Sequence, residues 1–103
     1  MEDYEIWGYA VSKMREKRGI TQGKLAEQLG YSSSHFRRFE KGQITNPSYR
    51  MMINIGEILH MDMLGITDQV REFEEQIDKN YGKDDSANGK VKKKIEKLII
   101  NND

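Results

Sequence analysis

Ser33, Ser34, Arg37, Arg38 and Lys41 bring hydroxyl, guanidinium and ammonium donors together in one short stretch of the chain. At about 100° of rotation per residue, a helix across that stretch gathers these side chains within roughly 140° of one another. Phe36, Phe39 and Glu40 then fall on the opposite side. A face of this kind fits a DNA major groove, where one arginine can donate to both O6 and N7 of guanine. A solvated amphipathic helix that happens to be basic would satisfy the same spacing.

The surrounding residues supply what is needed to hold such a helix. Thr21 can cap a helix whose inner face carries Leu25, Ala26 and Leu29, and Gly30 can end it by taking positive φ. Ser32 can cap the next helix, Ser33 to Lys41, which Gly42 closes. Two short helices joined by a tight glycine-containing turn form the basic unit of a helix-turn-helix. Ala26 is small where the two helices cross, and Phe36 and Phe39 anchor the second from beneath. Upstream, Trp7, Val11 and Met14 fall at helical spacing, which predicts a first helix over Asp3 to Lys17, ended by Gly19. Downstream, Asn46 reads as an N-cap with Pro47 at the first helical position. Met52, Ile55, Gly56 and Leu59 then recur as a buried face. Asp62 caps a short fifth helix through Met63 and Leu64.

On these residues, positions 7–64 resemble the Xre/Cro-type helix-turn-helix repressors of bacteria and phage. The resemblance runs through Gly8, Val11, Met14-Arg15, then Thr21-Gln22, Leu25-Ala26 and Leu29-Gly30. It continues with Phe36, Phe39-Glu40-Lys41-Gly42, Asn46-Pro47-Ser48, Met52, Ile55-Gly56 and Leu59. It implies an all-α fold, a five-helix lambda-repressor-like helix-turn-helix domain followed by two C-terminal helices. It also implies sequence-specific binding of double-stranded DNA as a homodimer in the cytoplasm, with repression favoured over activation. By resemblance, Gln22 bonds a phosphate at a helix N-terminus. Ser32, Ser33, Ser34, Arg37 and Arg38 match base-reading and adjacent phosphate-contacting positions, and Lys41 matches a phosphate contact. Arg15 and Glu40 match a structural pair that ties the first helix to the reading helix. The chain departs from the family at Gly23 and Lys24, where acidic or helix-favouring residues are usual, and at Gly56, where alanine is usual. The adjacent pair Arg37-Arg38 fits either strong guanine preference or stronger phosphate binding.

Composition is consistent with a small helical protein. Hydrophobic residues make up 36% and charged residues 33% of 103 residues, so the core must be small. One proline and few alternating β-branched runs disfavour a β-sandwich or barrel. There is no cysteine, hence no disulfide or thiolate metal site. The acidic start, Met1 to Glu5, argues against a signal peptide, and no apolar run approaches a membrane span. A net charge of zero hides segregation: residues 11–66 carry nine Lys/Arg against five Asp/Glu, and residues 67–89 carry three against seven. An electropositive DNA face beside a segment that avoids DNA would be distributed this way. Ordinary solvated helix faces would account for any one segment alone.

The chain divides in this reading into a DNA-binding domain, 1–66, and a C-terminal helical hairpin, 67–103. In the hairpin Val70, Phe73, Ile77 and Tyr81 stripe an acidic helix. Residues 82–90 form a polar turn in which Asp84-Asp85 are solvated, and Val91, Ile95, Leu98 and Ile99 stripe a basic helix. Neither helix is stable alone in water, so each stripe must be buried. Folding onto the chain's own domain would do this; dimerisation is the favoured role, and docking of a regulatory protein is a further one. Trp7 packs on the later helices or contacts a second copy. The methionines read as core filler or interface. His35 and His60 lack partners at metal-ligand spacing and take surface or capping roles. No catalytic arrangement, cofactor motif or metal site is evident, so an enzyme is not expected. A protein-interaction module that has lost DNA binding, or an antitoxin, is the alternative.

Overall fold

The computed structural model describes residues 1–81 and 87–101, which form six helices and no strand. They are α1 (Asp3–Lys17), α2 (Gln22–Leu29), α3 (Ser33–Glu40), α4 (Tyr49–Leu59), α5 (Met63–Tyr81) and α6 (Ala87–Ile100). The start and end of α1 lie where the spacing of Trp7, Val11 and Met14 puts them. Gly19, Gly30 and Gly42 follow α1, α2 and α3 with φ of 69°, 77° and 73°, the left-handed region that glycine enters at least cost.

The expected count of five helices plus two is corrected to six. Asp62 does cap a helix, accepting from Gly65 N at 3.0 Å, but that helix does not stop near Leu64. Ile66, Val70 and Ile77 continue one buried stripe with no terminating signal between them, so the short fifth helix and the acidic helix are a single element. Position 66, the expected domain boundary, therefore lies inside α5.

Two further boundaries move. α4 is capped by Ser48, whose Oγ accepts from Met51 N at 3.1 Å, and Asn46 and Pro47 precede the helix. The hydroxyl supplies the first-turn acceptor at Ser48, so the helix begins after it. The buried face of α4 is Met51, Ile55 and Leu59, with Met52 and Gly56 only partly covered. Residues 87–90, expected within the polar turn 82–90, belong to α6. Residues 82–86, including Asp84-Asp85, and the Tyr81 side chain lie outside the described residues.

α1 packs against α3, α4, α5 and α6 and forms the middle of the fold. Ile6, Ala10, Val11 and Met14 on α1 join Leu25, Phe36, Phe39, Ile55, Val70, Ile95 and others in one hydrophobic cluster. Gly8 marks the tightest crossing. A Cβ there would lie 2.2 Å from the Phe39 carbonyl oxygen, so only glycine lets α1 approach the end of α3 this closely.

The C-terminal helices fold onto this frame. Val70, Ile77, Val91, Ile95 and Ile99 are buried within the chain, and Phe73 and Leu98 pack on the cluster. Polar contacts fix their register. Trp7 Nε1 donates to Thr67 Oγ1 at 2.8 Å, Arg71 bridges Asp3 and Glu74, and Lys17 Nζ donates to the Ile99 carbonyl at 2.9 Å.

Tyr9 Oη donates to Glu96 Oε1 on α6. Burial, followed by that carboxylate, pushes the Tyr9 phenol up to about 12. An unfolded tyrosine titrates near pH ~10, so above that pH the unfolded chain loses its proton first. The stability this contact gives is complete below pH about 10 and is lost as pH rises through about 12. Tyrosinate absorbance of the native protein should show a late-ionising phenol near pH 12 that is absent from Tyr9→Phe. A native spectrum in which every tyrosine ionises near pH ~10 would contradict the assignment.

Candidate nucleic-acid interface

The unit that presents the donor face is built from three caps and one buried carboxylate. Thr21 Oγ1 accepts from Lys24 N at 3.2 Å and opens α2. Tyr31 N donates to the Ala26 carbonyl at 2.9 Å, which closes α2 around Gly30. Ser32 Oγ then accepts from His35 N at 3.1 Å and opens α3. α2 and α3 are thus joined through residues 30–32 alone. At the far end, Gln43 N donates to the Arg38 carbonyl at 2.9 Å, and Lys41 is the last residue before Gly42 turns the chain away.

Phe36 and Phe39 are fully buried, their ring centroids 5.9 Å apart, and fix the inner face of α3. Glu40 fixes its rotation. Arg15 Nε donates to Glu40 Oε2 at 2.8 Å and Arg15 Nη2 to Oε1 at 3.1 Å, a two-pronged pair. The third arm, Nη1, donates to the Ile20 carbonyl at 2.9 Å. Gln22 Nε2 adds a bond to Glu40 Oε1 at 2.7 Å. One carboxylate, its side chain 5% exposed, therefore joins α1, α2 and α3. The hydrogen bond to Glu40 raises Arg15 above its ordinary value despite the opposing effect of burial.

Against this fixed inner face, Ser33, Ser34, Arg37, Arg38 and Lys41 are all exposed. Among the described residues none of their side chains has a hydrogen bond or ion pair within the chain. Ser32 is exposed too; its Oγ serves the cap as acceptor and keeps its own proton to donate outward. Gln22 is placed differently from these. One of its amide N–H groups is committed to Glu40, which leaves the second N–H and the carbonyl oxygen for an outside ligand. Arg15 and Glu40 lie behind the face. Gly23 stands where the start of α2 meets α3, and a Cβ there would lie an ordinary 3.6 Å from Ser33 Oγ.

Reading by residue pattern missed two parts of this arrangement. Gln22 was not expected in the Arg15–Glu40 network, although its place in the first turn of α2 puts it within reach. The contact that demands Gly8 had no local signal. His35, at the edge of the face, stacks on Tyr31 with centroids 5.1 Å apart, which uses the ring for packing.

Two short helices, a glycine turn and an uncommitted basic face locked from behind define a helix-turn-helix unit. A family model described as a helix-turn-helix domain matches residues 11–71, more than half the chain. The chain belongs to this family of DNA-binding domains. No curated protein and no solved structure matches it. Among the described residues no helix is long and apolar enough to cross a membrane.

Proposed function

We propose that this chain is a transcriptional regulator of the Xre/Cro type that binds specific double-stranded DNA as a homodimer and represses by covering a promoter. α3 enters the major groove. Arg37 and Arg38 read guanine edges or clamp the flanking phosphates, Ser33 and Ser34 contact bases, and Ser32, Lys41 and the free amide atoms of Gln22 hold phosphate. Two copies set their α3 helices in successive major grooves, about 34–36 Å apart. The protein acts in the cytoplasm, and repression follows from excluding polymerase.

One observation carries this reading. The donors on α3 are exposed and have no partner among the described residues, while behind them Arg15 and Gln22 both donate to the Glu40 carboxylate and Arg15 also to the Ile20 carbonyl. A merely solvated helix would not need a buried three-helix clamp to set its rotation. The excess of Lys/Arg in residues 11–66, nine against five, supports the same face.

Selection of preferred sites from random duplex DNA tests the proposal. The expected product is a near-palindrome with half-site centres about 10 base pairs apart, or a multiple of that. Binding to it should weaken steeply with salt, with a slope of roughly −0.9 per phosphate contacted. A pool that shows no enrichment over random sequence would overturn it.

A further inference from the structure

α4 is apolar on two sides. Met51, Ile55 and Leu59 face the core. One step round the helix, Met52, Ile53 and Gly56 line a groove of 680 Å³ that Trp7 and Met63 complete. At its rim stand Tyr49, 80% exposed, and Leu64, 75% exposed, two of the three large hydrophobic residues that the described part of the chain leaves in water. The apolar stripes of α5 and α6 are already spent inside the chain, since Val70, Ile77, Val91, Ile95 and Ile99 are buried.

The patch is complementary to itself. It carries an exposed apolar side chain, Leu64, at the edge of a recess lined by Trp7, Met52, Ile53 and Gly56. A twofold axis through the patch would bring the Leu64 of each copy to the groove of the other, the geometry of an isologous interface. Charge agrees with that axis. Arg50 and Glu57 lie two turns apart on α4, flank Ile53, are both exposed, and have no ion pair among the described residues. If two α4 helices cross antiparallel about Ile53, Arg50 of each copy meets Glu57 of the other. The pairing occurs twice.

We propose that the outer face of α4 and the start of α5 form the homodimer interface, with a second copy of this chain as the occupant of the groove. The proposal rests on the homodimer of the DNA-binding reading and adds the surface that makes it. α4 follows the reading helix directly in the chain, so this interface would set the spacing of the two α3 helices.

Sedimentation of the full chain and of exposed-residue variants tests the surface without DNA. The wild type should be dimeric at micromolar concentration. Arg50→Glu and Glu57→Arg, each alone, should raise the dimer dissociation constant at least about tenfold, because like charges then meet twice. Mixed in equal amounts, those two variants should form a heterodimer close to wild-type affinity, since both pairings become opposite again. Leu64→Asp should be monomeric with unchanged helix content by circular dichroism. A wild type that stays monomeric, or a dimer indifferent to all of these changes, would overturn the proposal and send the groove to a different protein or the interface to α5 and α6. Failure of the DNA reading is seen separately: the dimer would respond as stated while no duplex is enriched in selection.

Discussion

The double variant Arg37→Ala/Arg38→Ala is expected to bind its selected site at least about 10³-fold more weakly than the wild type. That figure takes about 1 kcal/mol for each bidentate arginine–guanine contact, two from each copy of a homodimer. Both side chains are exposed and have no hydrogen bond or ion pair among the described residues. Their removal should therefore leave thermal stability within about 0.5 kcal/mol of the wild type. That separation of binding from stability gives the test its force. The single variants divide the work of the two residues. An arginine that reads guanine loses affinity for the selected site and tolerates other base pairs at one position. An arginine that clamps phosphate loses affinity evenly across sequences and lowers the salt slope by about one. A double variant that kept wild-type affinity and sequence preference would remove α3 as the reading element.

Local signals made most of the reading unit legible. Thr21 and Ser32 cap α2 and α3 through their own hydroxyls, and Gly30 and Gly42 take the positive φ that ends each helix. These are contacts over three or four residues, which a linear pattern records well. The misplaced features depend on competition between neighbouring signals or on distant contacts. Asn46-Pro47 is a good helix start, but Ser48 supplies the acceptor that the helix uses, and packing on the core buries Met51 more fully than Met52. The short fifth helix expected through Met63 and Leu64 does not end there because Gly65 only weakens a helix, whereas Ile66, Val70 and Ile77 reward its continuation. Met52, Met61 and Met63 suit core and interface equally in sequence, and the difference between them appears only once the α4–α5 corner is assembled.

Glu40→Ala is expected to destabilise the protein by about 3 kcal/mol, because removing one partner of a buried pair leaves the other charge uncompensated. Arg15 keeps its bond to the Ile20 carbonyl but loses both prongs to the carboxylate, and Gln22 loses its acceptor. For a chain of this size a loss of that magnitude should lower Tm by on the order of 10 °C or more. DNA affinity should fall as well, although Glu40 points away from the reading face, because its bonds to Arg15 and Gln22 fix the angle at which α3 leaves α1 and α2. The control replaces both charges, Arg15→Met with Glu40→Leu. With no charge left unpaired, this pair of changes should cost less than Glu40→Ala alone, while the loss of DNA affinity persists. Equal stability in all three proteins would show that the pair is no more than a surface contact. Full DNA affinity in the uncharged double variant would show that the packing of Phe36 and Phe39, together with the close crossing at Gly8, aims α3 without the clamp.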